Sequence, residues 1–232
     1  MATFEIIEGA VGQGKSLYTA RLARSLLLRN KAWFAKSGIM RQVYSNLKFS
    51  ENFEQEHGEF LRYWNTTEQL CQLRDVDVIW DEIATELDSR NFALLSDELK
   101  RFLSQYRKRG IDIYANTQDF SMIDARARLM ITRVATLKKI LGSADPSPTK
   151  PPIKKIWGLT IIRDVINFKE SDPAFKKYEF VPDFFFIDKK DIEIYDTRQD
   201  ITTGQLPVKK LRKEVAVYEE NGKVEYKRTR YI

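Results

Sequence analysis

The stretch FEIIEGAVGQGKSLYTA, Phe4–Ala20, decides the fold. An apolar run enters a glycine-rich turn that ends in Lys-Ser. The chain leaves it with Leu17, Ala20, Ala23, Leu26 and Leu27 at helical spacing. Gly9, Gly14, Lys15 and Ser16 satisfy G-x-x-x-x-G-K-[ST] without a mismatch. Glycines let successive backbone N–H groups curl round phosphate oxygens, and the helix that follows adds the positive end of its dipole. Gly9, Ala10, Val11, Gly12, Gln13, Gly14, Lys15 and Ser16 are therefore the candidate phosphate cradle for ATP. Lys15 is placed to reach the β- and γ-phosphates as a point charge, and the Ser16 hydroxyl to ligate Mg²⁺. A strand before the loop and a helix after it argue against a chance match.

Such a loop needs a second acid at the end of a neighbouring strand. DVDVIWDE, ending at Glu82, supplies a short apolar run closed by two carboxylates. Asp81 is the candidate Mg²⁺ holder, and Glu82 the group that orients or deprotonates the attacking water. The pair would also suit a solvated helix start; the loop favours the catalytic reading. Aspartate followed by glutamate points to an ATP-hydrolysing motor more than to a GTPase switch or a small-molecule kinase. IDIYANTQD puts Gln118 at the carboxyl end of another strand, where it could sense the γ-phosphate or position water. YRKRG puts Arg107, Lys108 and Arg109 at the end of a helix. These either complement the helix dipole or supply an arginine finger to a neighbouring subunit, and both readings stay open.

Composition narrows the field. The chain has 232 residues, 43% hydrophobic and 31% charged, with a net charge of +6, an ordinary globular balance that permits a nucleic-acid or anionic-membrane partner. Cys71 is the only cysteine, which excludes an intrachain disulfide, and is expected to be a buried or idle thiol. His57 is the only histidine and is expected at the surface, so zinc hydrolysis and Ser-His-Asp chemistry have little support. The N-terminus lacks a signal-peptide pattern, and no apolar run approaches the roughly 18 residues of a membrane span. The expectation is a soluble intracellular protein.

Along the chain, RQVYSNLKF reads as a strand and TTEQLCQL as a weak helix. SDELKRFLSQYRKRG reads as a helix with Ser96 as N-cap, a stripe of Leu99, Phe102, Leu103 and Tyr106, and Gly110 to end it. SMIDARARLM reads as another helix. WGLTIIRDVINF, KKYEFVPDFFFI and IEIYDT read as strand-like. Alternation of strand and helix to about residue 130 argues an α/β fold with a largely parallel sheet. Residues 1–200 are expected to form the P-loop domain, with a proline-rich loop at 142–155. Residues 201–232 form a basic tail, where Asn221-Gly222 signals a β-hairpin and hence a β-rich C-terminal extension. From Gln205 onward the tail carries eight Lys/Arg and four Glu.

EGAVGQGKS, VYSNLKF, WDEIATELDSRNF, YRKRGIDIYANTQDFSMIDARAR and IEIYDTRQ, in that order, resemble the ATPase domain of filamentous-phage assembly proteins. This is the zonula occludens toxin-like family, in the FtsK–HerA branch of P-loop motors. The resemblance implies a RecA-like sheet, phosphate contacts from Gly12, Gly14, Lys15 and Ser16, Asp81 and Glu82 as the acidic pair, and Gln118 as sensor. It also implies arginines at Arg107, Arg109 and Arg126, an Asp-x-Arg element at Asp88–Arg90, and a homo-oligomeric ring acting on DNA. Filamentous-phage members continue into a transmembrane helix, whereas this chain ends in the basic tail. In that respect it looks like the genome-packaging ATPases of tailless, membrane-containing viruses. The expected function is an ATP-driven motor that translocates or packages a phage genome. It would work in the cytoplasm of a bacterial host, at the periphery of the inner membrane or with the virion, beside a capsid or membrane assembly partner. The alternatives are a soluble form of the filamentous-phage export ATPase with a separate membrane partner, and a nucleotide-dependent scaffold without motor activity.

Overall fold

The computed structural model describes residues 2–88, 95–141, 156–164, 181–187, 189–194, 217–220 and 223–226. β1 (Phe4–Glu8) lies between β5 (Asp112–Thr117) and β6 (Arg133–Leu141), parallel to both, with Phe4 opposite Ile113 and Glu8 opposite Thr117. On the far side of β5 come β4 (Asp77–Trp80), β2 (Val43–Ser45) and the edge strand β3 (Leu61–Tyr63), all parallel. Beyond β6, β7 (Ile156–Asp164) and β8 (Val181–Ile187) extend the sheet antiparallel. The sheet order is thus β3-β2-β4-β5-β1-β6-β7-β8. β5 separates the loop strand β1 from the acid-bearing strand β4. This is the RecA-like P-loop NTPase arrangement expected from the sequence.

Strand alternation feeds two cores, one on each face of the sheet. Phe4, Ile6, Val78 and Trp80 point to the face covered by α3 (Thr67–Cys71) and α4 (Asp97–Gln105), where they meet Leu99, Phe102, Leu103 and Tyr106. Ile79 and Val43 point to the other face, under Ala20, Ala23, Leu26 and Leu27 of α1 (Lys15–Ser37) and Phe53 of α2 (Glu51–His57). The helix stripes read from the sequence are the buried faces. Ser96 caps α4, its side chain accepting the Leu99 N–H at 3.2 Å. Gly110 sits at φ 68, and a Cβ there would collide with the Asp75 carboxylate. The chain divides into two compact units, Met1–Thr197 and Arg198–Ile232. In the second unit β9 (Val217–Glu220) pairs antiparallel with β10 (Lys223–Tyr226).

Three expectations are corrected. His57 is 2% exposed, its ring 4.5 Å from that of Phe53 at the end of α2, and burial lowers its pKa. The amphipathic turn of EQEHGEF buries the histidine, which composition alone placed outside. SMIDARARLM is a 3₁₀ turn (Phe120–Met122) and a single short helix, α5 (Ala125–Arg128), because Asp119 and Asp124 each cap and restart the chain. Ile192–Ile194 lie in α6 (Lys189–Ile194), where Ile194 packs on the α1 side of the sheet; Tyr195–Thr197 are outside the described residues. So are Arg90, the proline-rich loop at 142–155 and most of the basic tail.

The edge of the sheet from which the parallel strands start is locked by a buried charge. Asp77 is fully buried at the start of β4. Arg41 donates to one of its oxygens from Nε at 3.0 Å and Nη2 at 2.8 Å. Arg29 and Asn30, both on α1, donate to the other at 2.8 Å. Arg41 also reaches Asp112 Oδ2 at 3.0 Å and the Gly110 carbonyl at 2.9 Å, joining β4, β5 and the approach to β2. Arg29 and Arg41 are partly exposed, so removing the carboxylate chiefly leaves the buried Asn30 amide short of a partner, at about 1–3 kcal/mol. Asp77→Ala should therefore destabilise the chain by about that amount in urea denaturation. The emission of the buried Trp64–Trp80 edge-to-face pair is a suitable readout. A loss below about 1 kcal/mol would show that the cluster is dispensable.

Candidate nucleotide-binding site

The loop leaves β1 after Glu8. Gly9 packs so closely on β6 that an added Cβ would lie 3.2 Å from the Leu137 carbonyl oxygen. The Gln13 N–H donates to the Ala10 carbonyl at 3.2 Å, making a turn with Val11 exposed at its tip. Gly12 and Gly14 adopt φ 78 and φ 86, left-handed conformations that favour glycine. Gly14 is also the N-cap of α1, with no side-chain cap and no acid in the first turn. The start of the helix is thus left open toward an anion. Lys15 is buried, and its Nζ donates to Gly9 O at 2.7 Å and Ala10 O at 3.4 Å.

Asp81 and Glu82 follow β4 at the same edge of the sheet. Ser16 hydrogen-bonds to the Asp81 side chain, so the loop and the acid pair meet through two predicted residues. Asn116, buried in β5, donates to the Asp81 carboxylate and to Thr19 Oγ1 at 3.3 Å. Its Oδ1 accepts the Glu82 N–H at 2.8 Å. Asn46, just past β2, accepts the Asp81 N–H at 2.6 Å and donates to the Asp81 carbonyl at 3.1 Å. Glu82 itself is held at φ 52, a left-handed conformation uncommon for a non-glycine residue. Burial raises the Asp81 pKa against the Asn116 hydrogen bond, the Lys15 charge and the Ser16 hydrogen bond. Burial and the Asp81 charge raise that of Glu82, against Lys15.

Gln118 is exposed one residue beyond β5, whose last residue Thr117 pairs with Glu8 at the mouth of the loop. Glu8 itself ties this rim, accepting the Phe120 N–H at 3.2 Å and the Thr136 hydroxyl. Arg107 and Arg109 stand elsewhere: they precede β5, at the edge of the sheet opposite the loop. Arg107 Nε donates to the Tyr106 hydroxyl at 3.0 Å, and Arg109 donates to the Cys71 carbonyl at the end of α3. Within one chain they do not join the site. Arg126 is on α5, its Nε 3.9 Å from Asp124.

Sequence reasoning missed Asn116, Asn46 and Thr19. A signal did exist for Asn116: asparagine is disfavoured inside a strand, and this one interrupts an apolar run two residues before Gln118.

No protein-family profile and no curated protein matches the chain. Among solved structures it is similar to the N-terminal domain of zonular occludens toxin from Neisseria meningitidis. The identity is 20%, over 84% of this chain and 100% of that one, with a TM-score of 0.49. It is also similar to the genome packaging NTPase B204 from Sulfolobus turreted icosahedral virus 2, at 11% identity over 71% and 93% of the two chains and a TM-score of 0.46. A third is the flagellar accessory protein FlaH from Methanocaldococcus jannaschii, at 15% identity over 69% and 77% and a TM-score of 0.43.

The raised values of Asp81 and Glu82 carry a stability consequence. The folded chain takes up protons at these carboxyls more readily than the unfolded chain. Their charge therefore costs the fold stability at neutral pH, and the cost is relieved as pH falls through the raised values. Asp81→Asn, which removes the charge and keeps the shape, should raise the melting temperature of the ligand-free chain at pH 7. It should also flatten the pH dependence just above the ordinary carboxylate range of about 4. An unchanged or lower melting temperature would contradict the raised value.

Proposed function

We propose that the chain is an ATP hydrolase of the motor type that moves a viral genome during virus assembly. The observation that carries the nucleotide part is the convergence of Lys15, Ser16, Asp81 and Glu82 at one edge of the sheet. This edge is also where the strand order reverses about β1, the usual place for a ligand in an open α/β sheet.

The residues fit a nucleoside triphosphate with Mg²⁺. The uncapped start of α1, the two left-handed glycines and the buried Lys15 suit a polyphosphate. A hydroxyl hydrogen-bonded to a carboxylate, with no cluster of three or more ligating side chains among the described residues, suits Mg²⁺. That ion keeps several waters and takes one or two protein oxygens beside phosphate. Bound there, Mg²⁺ would neutralise charge on the phosphate oxygens. Lys15 supplies a cation that must leave the Gly9 and Ala10 carbonyls to meet phosphate, so the loop keeps its own lysine satisfied beforehand. Glu82 would take a proton from water as general base, a role supported by its raised pKa and by the backbone N–H that Asn116 fixes. Gln118 at the rim orients that water or senses phosphate. Arg107 and Arg109, at the far edge, would act only on a neighbouring subunit's nucleotide.

DNA as the cargo rests on the ordered run of motifs shared with phage assembly ATPases and on the net charge of +6. A genome packaging NTPase is among the similar solved structures, and the assignment of that role to this chain is our proposal.

Two experiments test these readings. Lys15→Ala should abolish ATP binding in a fluorescent-nucleotide titration, while Glu82→Gln should keep binding and slow turnover by about a hundredfold or more. Intact affinity in the first, or near-normal turnover in the second, would remove the role assigned to that residue. Single- or double-stranded DNA should raise the steady-state ATPase rate of the intact chain. A rate indifferent to both would replace the motor with a nucleotide-dependent scaffold.

A further inference from the structure

From Ala32 to Met40 every residue is exposed, although α1 buries Leu17, Ala20, Ala23, Leu26, Leu27 and Asn30 farther back. The reason is length. A helix of 23 residues runs about 34 Å, whereas β1, with five, runs about 17 Å. Starting at the phosphate loop and running back, α1 overshoots the opposite edge of the sheet, and its last turns lie beyond the strands, touching the body at Phe60 through Phe34.

Helix surface bared in this way ordinarily carries polar side chains. Here it carries Trp33, 54% exposed, Phe34, Ile39, 62% exposed, and Met40. Hydrogen bonds within the tip set its shape. The Gly38 N–H donates to Phe34 O at 2.8 Å, with Gly38 at φ 70. The Ser37 hydroxyl donates to Trp33 O at 2.9 Å and accepts the Ile39 N–H at 3.2 Å. Ile39 is thereby held against the last turn, and Phe34 is braced by an edge-to-face contact with Phe60 at 5.7 Å. The result is a firm apolar knob.

Charge identifies what it meets. Between Glu8 and Glu51 the sequence has no acid and eight Lys/Arg. Lys36 lies in the tip and Lys31 just before it, with Arg21 farther back along the helix, while Arg24 is paired with Asp191 and Arg29 and Arg41 with Asp77. The acids of the adjoining segment, Glu56 and Glu59, are joined to this region through their carbonyls, which accept from Lys31 and Gln42.

We propose that the end of α1 docks the protein on the surface of an anionic lipid bilayer. Trp33, Ile39 and Met40 enter the boundary between headgroups and acyl chains, and Lys31 and Lys36 meet lipid phosphates. Aromatic and aliphatic side chains ringed by lysine are the composition of an interfacial anchor. A nucleic acid would use the bases but gain nothing from Ile39 and Met40. A second copy of the tip would set like charges against each other. No helix among the described residues is long and apolar enough to cross a membrane, so this contact lies on the bilayer. It is also independent of the nucleotide reading, because the phosphate loop is at the other edge.

The test mixes the intact chain with vesicles of phosphatidylglycerol and phosphatidylethanolamine, and separately with phosphatidylcholine alone. Sedimentation and tryptophan emission are the readouts. Trp64 and Trp80 are buried already, and the part of a blue shift that is lost in Trp33→Ser reports Trp33. The chain should sediment with the anionic vesicles and shift to the blue. The double variant Trp33→Ser, Ile39→Ser should bind them about tenfold more weakly or worse, with melting temperature and ATP affinity unchanged. Failure to bind anionic vesicles, or equal binding by the variant, would overturn the proposal. So would a variant that alters only the oligomeric mass, which would make the tip a contact between copies, or only DNA affinity, which would make it a nucleic-acid contact.

Discussion

The Asn116 amide donates to the Asp81 carboxylate and to Thr19 Oγ1, and accepts the Glu82 N–H. Much else depends on that geometry. Two adjacent carboxylates repel each other and resist burial, yet both must stand beside Lys15. One amide, offered from the strand between the loop strand and the acid strand, favours the charged form of Asp81 and fixes the backbone that aims Glu82. Asn46 repeats the device from the other flank, binding the Asp81 backbone through both its amide groups. The strained φ of Glu82 persists because its neighbours over-determine it.

The two edges of the parallel sheet divide the labour. At the carboxyl edge, polar groups are gathered around a loop whose lysine is parked on its own carbonyls. At the other edge, Asp77 is paired with Arg29, Arg41 and Asn30, so buried charge is neutralised on the spot. The same helix takes part in both, with Lys15 and Ser16 at its start and Arg29 and Asn30 midway. A displacement of α1 along its axis would therefore disturb the glycine-rich loop and the ionic lock together. α1 thus links the loop edge of the sheet to its protruding end.

Local chemistry was legible in the sequence wherever a side chain's role follows from its own position. The loop spacing, the α1 stripe, the Ser96 cap and the Leu99-Phe102-Leu103-Tyr106 face each depend on residues close together in the chain. The acid pair was legible too, because a strand must end in it. Long-range roles were not. Asn116 acts through Asp81, Glu82 and Thr19, which only the sheet order brings near it. His57 is in a polar segment, and its burial comes from Phe53 one turn away and the packing of α2. β6 escaped reading because RVATLKKIL alternates poorly, its lysines obscuring Val134 and Leu137, which are buried only because β1 lies alongside. Arg107 and Arg109 show the converse. Their sequence context left open a helix-end role or a finger for a neighbouring subunit, and their placement before β5, a full strand length from the loop of their own chain, leaves only the second of these as a role in the site.

Keeping Asp81 and Glu82 half-buried and close together costs the empty fold stability, as their raised pKa values show. On the proposed reading, the charge that would relieve this is that of a divalent cation bound with the nucleotide. Lys15 alone lowers both values only in part, and a divalent cation at Ser16 and Asp81 would complete the compensation. A site of this kind is less stable empty than filled, the usual trade between stability and function. Binding of such a cation would draw on electrostatic strain already present in the protein, while the backbone of Glu82 stays fixed by Asn116. The asparagine amides are what prevent the strain from being relieved by simple retreat of the acids into solvent.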